Sequence, residues 1–253
     1  MTSADLHRLA LFGATGRMGQ SIVQAMRAAP RWSLGAAIAS AQSPRVGQDV
    51  AADGAPLGVP VSTDVPRALK GATVAMDFSA ATAVAAHARA CAAAGVPLLV
   101  GTTGLDEAVQ QVLRAAAERI AVLVAPNTSV GVGVLAELAA SAARRFGPEV
   151  DIQIAEAHHR DKLDAPSGTA LALKRALLQA TGRVPESIGF AIVRAGDIVG
   201  EHTVIFASAG ERLELTHRAT DRLVFARGAL RAAEWLIGRP AGLYSMSDVL
   251  NQA

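Results

Sequence analysis

The sequence predicts an α/β protein in which a doubly wound parallel sheet is followed by a second α+β domain built on a mixed sheet. Short apolar strands alternate with helices through the first half, which is typical of a parallel sheet covered on both faces. Past Pro126, three strands follow one another without an intervening helix, which favours an antiparallel or mixed sheet. The composition, 51% apolar and 18% charged over 253 residues, supports well-buried cores.

The first half supplies the elements of the parallel sheet. Apolar runs predict strands over residues 8–12, 34–39, 73–78, 97–100 and 120–125. Helical spacing of apolar residues predicts helices over 18–28, 80–94 and 106–118. Residues 43–63 are rich in Gly, Pro and Asp, which indicates an exposed excursion between two of these units.

The second half has a different order of elements. We expect a helix over 134–146, a strand over 150–155 and a helix over 169–180, then strands over 189–194, 202–207 and 212–216. A helix over 229–237 follows and is expected to return to the first domain. The predicted domains are therefore 1–128 with about 221–253, and 129–220.

Charge and composition exclude several classes of protein. A net charge of +2 gives no reason to expect a nucleic-acid partner. The single cysteine, Cys91, excludes an internal disulfide and a cysteine zinc site, and its Ala-rich helix predicts an inert, packed thiol. Residues 1–8 contain no apolar signal core, and no apolar run reaches the ~20 residues needed to span a bilayer, so we expect a cytoplasmic protein with no membrane partner.

A glycine-rich turn follows the first strand and opens the first helix. It reads Gly13-Ala14-Thr15-Gly16-Arg17-Met18-Gly19, a G-x-x-G-x-x-G variant of the dinucleotide fingerprint. Glycines here permit a tight turn and let the backbone approach a pyrophosphate, which the helix N-terminus attracts. The turn predicts a Rossmann-like domain that binds NADPH or NADH.

The end of the second strand bears on the choice of cofactor. A carboxylate is expected there, about 20 residues after the glycine turn, to bind the adenosine ribose of NADH. This chain has Ala39 and Ser40 instead. Ser40 can donate to a 2′-phosphate, and Arg17 or Arg45 can pair with one, although either arginine is equally typical of a solvated surface. We therefore expect NADPH to be accepted at least as readily as NADH.

Two further loops lie at the predicted carboxyl ends of strands, where such sheets bind ligands. They are Gly101-Thr102-Thr103-Gly104 and Ala125-Pro126-Asn127-Thr128. Their small residues, N–H groups and hydroxyls suit a ribose and a nicotinamide. Asp77-Phe78-Ser79 ends another strand, and a structural role for it is equally compatible with the pattern.

The segment Glu156 to Ala170, EAHHRDKLDAPSGTA, combines proton donors with an anion site. A histidine exchanges protons near neutral pH, and Lys162 can donate a proton or neutralise an anion. His158 and His159 share a site only if the strand ends between them, because neighbouring strand residues face opposite ways. Ser167 is expected to cap a helix whose first N–H groups, at Gly168 and Thr169, then form a carboxylate-sized site.

Three other interpretations of this segment remain open. His158, His159, Asp161 and Asp164 contain metal-ligating groups, but their spacing matches no metal motif. Ser167 is a poor nucleophile candidate because it lacks a strand–elbow context. A basic surface turn is also compatible with the local sequence. The isolated His7, His87, His202 and His217 are interpreted as structural.

Five motifs together resemble the dihydrodipicolinate reductase family (4-hydroxy-tetrahydrodipicolinate reductases) of lysine and diaminopimelate biosynthesis. They are GATGRMG at 13–19, GTTG at 101–104, APNTSVG at 125–131, the 156–170 segment and RAGDIVGEHTV at 194–204. The resemblance implies reduction by NAD(P)H of a cyclic imine dicarboxylate, with loss of water, to tetrahydrodipicolinate. It also implies a homotetramer formed through the second-domain sheets.

The resemblance assigns roles to individual residues. His158 corresponds to the proton donor/acceptor and Lys162 to a second proton donor, while His159, Gly168 and Thr169 correspond to substrate-carboxylate contacts. The cofactor contacts implied are Gly13, Ala14, Thr15, Gly16, Arg17, Met18, Ser40, Gly101, Thr102, Thr103, Ala125, Pro126, Asn127 and Thr128. No metal is implied.

The chain departs from the family at the second strand and at Thr128, where some members carry a larger apolar residue, and its segment 180–187 is short. Two rival classes are a different two-domain oxidoreductase, such as an aspartate or diaminopimelate dehydrogenase, and a non-catalytic dinucleotide sensor. Neither is expected to carry the histidine–lysine segment.

Overall fold

A seven-stranded, wholly parallel sheet forms the first part of the computed structural model, which describes residues 6–251. Its strands are β1 His7–Phe12, β2 Trp32–Ile38, β3 Val61–Ser62, β4 Val74–Asp77, β5 Leu98–Val100, β6 Ala121–Val124 and β11 Gly242–Tyr244. The order across the sheet is β11-β6-β5-β4-β1-β2-β3. β1 therefore lies between β2 and β4, so the order reverses beside it, and the predicted doubly wound sheet is confirmed.

The helices associated with this sheet are α1 Arg17–Met26, α2 Val65–Leu69, α3 Ala81–Ala94, α4 Glu107–Ala117, α7 Leu223–Leu236 and α8 Met246–Leu250. A core of small and branched side chains from α3 and α4 packs on the sheet. Cys91 lies in that core, where burial and the charge of Asp77 raise the pKa of its thiol to about 12. The prediction of an inert, packed cysteine agrees with this environment.

The second sheet is mixed, as predicted. Its four strands, β7 Asp151–His158, β8 Ile188–Arg194, β9 Gly200–Ser208 and β10 Glu211–Ala219, lie in the order β10-β9-β7-β8. β7 pairs with β8 in parallel and with β9 antiparallel. Helices α5 Val130–Phe146 and α6 Gly168–Thr181 pack on one face of this sheet around Ile152, Ile154 and Phe206.

The chain divides into two compact units, Met1–Thr128 with Phe225–Ala253, and Ser129–Val224. Pairing of β11 with β6 places the end of the chain in the sheet of the first unit. In the described range, 6–251, no helix has the length and apolar character needed to cross a bilayer. The predicted absence of a signal core concerns residues 1–8, and the first five of these lie outside the described residues.

The excursion predicted over 43–63 is exposed for most of its length but is tied to the glycine turn. Gln20 of α1 donates to the carbonyls of Ala14 and Val50 and accepts from the N–H of Ala52. Val50 itself is fully buried. The hydrophobic pattern of the sequence did not predict this connection, because the side chain of a single residue, Gln20, makes it.

Candidate active site

The glycine turn has the geometry that a pyrophosphate requires. Gly13 adopts a φ of +75°, and a Cβ there would lie 2.4 Å from the carbonyl oxygen of Phe78. A Cβ on Gly19 would lie 2.3 Å from the carbonyl oxygen of Gly13, so this glycine lets the helix approach the turn. Gly16 begins α1 without a side-chain cap, and the first turn contains no acidic residue. The first N–H groups of α1 are therefore available to an anion, which fits a dinucleotide cofactor.

All three predicted cofactor loops lie at the same edge of the parallel sheet. Gly13 follows β1, Gly101 follows β5 and Ala125 follows β6. Hydrogen bonds link the neighbouring strand ends, from Gly101 N to Asp77 O and from Ala125 N to Val100 O, both at 2.9 Å. Carboxyl ends of parallel strands beside the point where strand order reverses form the ligand crevice of such sheets.

Two hydroxyls that we expected to face a cofactor are instead bonded within the protein. Thr102 is buried, and its Oγ1 donates towards the backbone and carboxylate of Asp77 at 3.2 Å. Thr128 Oγ1 donates to the Phe225 carbonyl at 2.7 Å. Thr103, by contrast, is exposed. The side-chain hydrogen bonds of Thr102 and Thr128 thus hold their loops in place.

A buried carboxylate that the sequence left undecided organises this edge. Asp77 is fully buried, and its Oδ1 accepts from the N–H and the hydroxyl of Ser79 at 2.9 and 2.6 Å. Its Oδ2 lies 2.8 Å from Nδ1 of His87, whose ring stacks on Phe12. Asp77 and His87 therefore have a structural role that fixes the ends of β4 and β5.

The end of β2 carries no carboxylate, as the sequence indicates. Ala39 is 9% exposed, while Ser40 is exposed and its hydroxyl is hydrogen-bonded to Gln42. Arg45 donates to the carbonyls of Asp49 and Val50, at 2.8 and 3.0 Å. Arg45 is thus a structural residue, and exposed Arg17 is the stronger candidate for pairing with a phosphate.

The histidine–lysine segment forms a second site, in the unit built on the mixed sheet. β7 ends at His158, so His159 lies beyond the strand, which is the condition set for both histidines to serve one site. His158 is buried, whereas His159 is partly exposed. Lys162 follows in the loop, and its Nζ lies 2.8 Å from Oδ1 of Asp164.

The start of α6 has the predicted cap. Ser167 Oγ accepts from the N–H of Ala170 at 3.1 Å and lies 3.2 Å from Nε2 of His202, so the serine caps the helix as predicted. A Cβ added to Gly168 would meet no atom within 4 Å, so open space lies at the first residue of the helix. This helix N-terminus suits a carboxylate, and the backbone N–H of Gly168 interacts with the Asp164 carboxylate in the ligand-free chain.

Three residues that sequence reasoning did not assign to the site, Glu156, Arg194 and His202, form a cluster with His158. Glu156 is 2% exposed, and its Oε2 lies 3.6 Å from Nδ1 of His158. Arg194 Nη2 donates to Glu156 Oε1 at 2.9 Å, and His202 Nε2 lies 3.7 Å from Oε2. Arg194 and His202 both belong to the family-like motif at 194–204, which could have indicated a role in the site. The prediction instead treated His202 as structural.

Charge and burial set the protonation states of this cluster. Burial lowers the pKa of His158 and of His202 to about 4 in each case, despite the opposing charge of Glu156. Burial also acts to raise the pKa of the Glu156 carboxyl, but hydrogen bonds from Ser167 and Arg194 outweigh it and hold that pKa below 4.5. Near pH 7, the ligand-free cluster therefore holds a carboxylate, a guanidinium and two neutral imidazoles.

The same cluster bears on metal binding. Ligand atoms of Glu156, His158 and His202 lie within 4.8 Å of one another. The carboxylate is already paired with Arg194, whose positive charge opposes a cation at this position. Asp164, named in the metal interpretation, is paired with Lys162.

Comparison with known proteins identifies the family. Residues 7–128 match the model described as "Dihydrodipicolinate reductase, N-terminus", and residues 131–250 match "Dihydrodipicolinate reductase, C-terminus". The 4-hydroxy-tetrahydrodipicolinate reductase of Thiobacillus denitrificans is 49% identical, over 96% of this chain and 98% of that protein. The Anaeromyxobacter dehalogenans protein of the same name is 46% identical, over 96% and 97%.

A solved structure shares the fold. The dipicolinate-bound dihydrodipicolinate reductase of a Paenisporosarcina species superposes with a TM-score of 0.79 at 23% identity, covering 96% of this chain and 99% of that one. Both units are thus matched in order and over nearly their whole length. With the glycine turn and the histidine–lysine segment in place, the chain belongs to the dihydrodipicolinate reductase family.

Proposed function

We propose that this chain catalyses the NAD(P)H-dependent reduction of 4-hydroxy-tetrahydrodipicolinate to tetrahydrodipicolinate in lysine and diaminopimelate biosynthesis. The observation that carries the proposal is the combination, in one segment, of buried His158, Lys162 and the open start of α6 at Gly168. A reduced nicotinamide supplies a hydride when bound. The residues of this chain supply the proton and hold the two substrate carboxylates.

Each proposed residue has a physical role. Hydride addition to a conjugated imine leaves negative charge on the substrate, which a nearby acid must quench. We assign that role to His158, whose pKa of about 4 in the ligand-free chain must rise beside the anionic substrate. Lys162 supplies a second proton or balances the anion. His159, with the Gly168 and Thr169 N–H groups at the positive end of the α6 dipole, binds a carboxylate. The loops at Gly13, Gly101 and Ala125 hold the cofactor.

A coupled assay tests the reaction directly. Purified dihydrodipicolinate synthase generates the substrate in place, and oxidation of NADPH is followed at 340 nm. We expect turnover of about 1–1000 per second, the usual range for enzymes. Absence of substrate-dependent oxidation with both NADPH and NADH would contradict the function. A dinucleotide sensor would bind the cofactor and show no turnover, which separates that rival class.

The second strand predicts the cofactor preference. Because Ala39 and Ser40 present no carboxylate, a 2′-phosphate meets no like charge, and Arg17 is exposed beside the glycine turn. We expect kcat/KM with NADPH to equal or exceed that with NADH. Arg17→Gln should reduce kcat/KM for NADPH about tenfold more than for NADH, as expected for loss of one charge-assisted contact.

Arg27→Gln is the matched control for Arg17. It removes an arginine at the opposite end of α1, where the guanidinium donates to the carbonyls of Asp53 and Ala55. We expect this variant to leave the NADPH to NADH ratio unchanged. A strong preference of the wild type for NADH would refute the prediction.

The proposed assembly is a homotetramer in the cytoplasm, formed through the mixed sheet. α5 and α6 pack on one face of that sheet, and its other face carries Val193, 49% exposed, with Ala191 beside it on β8. An open sheet face with apolar positions is a common site of self-association. Sedimentation equilibrium reports the oligomeric state.

A further inference from the structure

We infer that Glu156 is a positioning residue which holds the transferable proton of His158 on Nε2. This inference rests on the proposed function, in which His158 donates a proton to the reduced substrate. It concerns how the chain selects one of the two imidazole nitrogens for that task.

The two nitrogens of His158 lie in different surroundings. Nδ1 is buried and makes no hydrogen bond within residues 6–251, and the nearest carboxylate oxygen is Oε2 of Glu156, 3.6 Å away. Nε2 lies on the side of Gly200, where a Cβ would come within 3.2 Å of it. The glycine therefore keeps space beside Nε2, while the carboxylate stands beside Nδ1.

This arrangement fixes the tautomer of the neutral ring. A carboxylate accepts a hydrogen bond and cannot donate one, so it favours the tautomer whose proton is on Nδ1. When the ring is protonated, the second proton is then on Nε2 and is the one given away. Loss of that proton returns the ring to the Nδ1–H form, bonded to Glu156. The distance must shorten from 3.6 Å to about 2.9 Å for this bond to form.

Glu156 is itself held by two donors, Arg194 and the backbone N–H of Ser167. Arg194 Nη2 donates to Oε1 at 2.9 Å, and Ser167 N donates to the same oxygen at 3.0 Å and to Oε2 at 3.2 Å. Arg194 also donates to the carbonyls of Lys162 and Asp164, at 3.2 and 2.6 Å. One buried ion pair thus links β7, the loop with Lys162 and the first turn of α6.

The charged and titratable groups around His158 give the direction of the pH effect. They are Glu156 on β7, Arg194 on β8, His202 on β9, and Lys162 and Asp164 in the loop. Glu156 and Asp164 favour the protonated ring, whereas Lys162, Arg194 and burial oppose it. Removing the charge of Glu156 therefore lowers the pKa of His158 further. An essential acid with a lower pKa loses its proton at lower pH.

The test is Glu156→Gln, assayed for kcat between pH 4 and 10, a range that includes the pKa of about 4 of ligand-free His158, and examined by ¹⁵N NMR of the histidine rings. We expect kcat to fall about 10- to 100-fold, as for loss of other groups that orient a catalytic ligand or base. The alkaline limb of the kcat profile should move to lower pH. The Nδ1–H tautomer of His158, present in the wild type with dipicolinate bound, should give way to Nε2–H, because the glutamine amide can donate to Nδ1.

Further variants separate this role from a structural one. Glu156→Asp keeps the charge and should restore part of the shift in the alkaline limb. Glu149→Gln makes the same change at an exposed site just before β7 and should leave the profile unchanged. If Glu156→Gln does not fold, Arg194→Lys keeps the positive charge but loosens the same carboxylate, and the Nδ1–H tautomer of His158 should lose part of its population in the NMR measurement.

Two outcomes would overturn the inference. One is a Glu156→Gln enzyme with the wild-type alkaline limb and the Nδ1–H tautomer unchanged. The other is an equal loss of kcat at every pH with that tautomer retained, which indicates that Glu156 only supports the fold. The NMR result does not depend on turnover, so failure of the proposed reaction in the wild type is distinguishable from failure of this inference.

Discussion

Replacing His158 with glutamine is expected to lower kcat by about two to four orders of magnitude while leaving the affinity for NADPH within a factor of about three. Glutamine preserves much of the volume of the ring and can form hydrogen bonds, but it does not exchange a proton near neutral pH. His158 is 7% exposed and stands in the unit Ser129–Val224. The loss should therefore appear in the chemical step and spare the glycine turn.

His159→Gln is the informative comparison, because it makes the same change one residue further along. His159 lies beyond the end of β7 and is partly exposed, as a residue that contacts a substrate carboxylate would be. We expect it to raise KM about tenfold with a smaller effect on kcat. Kinetics are measured with coupled generation of substrate, and cofactor binding by quenching of NADPH fluorescence. Near-normal turnover of His158→Gln would contradict the assignment of this histidine as the acid.

Lys162→Ala should also lower kcat, through loss of a proton donor and of positive charge near the substrate. Lys162 is paired with Asp164, so the loss of the lysine must be distinguished from the loss of the ion pair. Asp164→Asn removes the same ion pair and keeps the ammonium group. A large loss with Lys162→Ala and a small one with Asp164→Asn would locate the effect at the lysine. Equal losses would show that the pair only shapes the loop.

The parallel sheet and its cofactor edge could be predicted because their signals are local. The glycine turn at Gly13 requires a positive φ and close backbone contacts, and few other functions place glycines at that spacing after a strand. The strand–helix alternation and the helix capped by Ser167 likewise depend on neighbouring residues. Short elements such as α2 and β11 were missed, since five- and three-residue segments carry too little periodicity.

The contacts around His158 could not be predicted because they join distant parts of the chain. Glu156 and Arg194 are 38 residues apart and meet only because β7 pairs in parallel with β8, in the register that sets Glu156 opposite Ile192. His202 comes opposite Glu156 through the antiparallel register of β9. Hydrophobic periodicity predicts strands but not their register, so neither neighbour was evident from the pattern. The Asp77–His87 pair joins the end of β4 to helix α3, and the hydrophobic pattern carries no signal for a polar contact of that kind.

Gly168→Ala is expected to raise the dissociation constant for a dicarboxylate by about 10- to 100-fold without harming the fold. This corresponds to a loss of about 1.4 to 2.8 kcal/mol of binding free energy. A Cβ at this position would meet no protein atom within 4 Å, so the methyl group enters only the open space at the start of α6. Alanine is the better helix former, so the free energy of unfolding should stay unchanged or rise by up to about 1 kcal/mol.

The opposite signs of these two effects make the experiment decisive. Binding of dipicolinate is measured by calorimetry, and stability by urea denaturation of the same preparation; NADPH affinity serves as the internal control and should not change. A methyl group that weakens dicarboxylate binding while stabilising the helix can act only through space that the ligand occupies. If Gly168→Ala binds dipicolinate as tightly as the wild type, the carboxylate does not approach the N-terminus of α6, and the anion site must be sought at His159 and Lys162 alone.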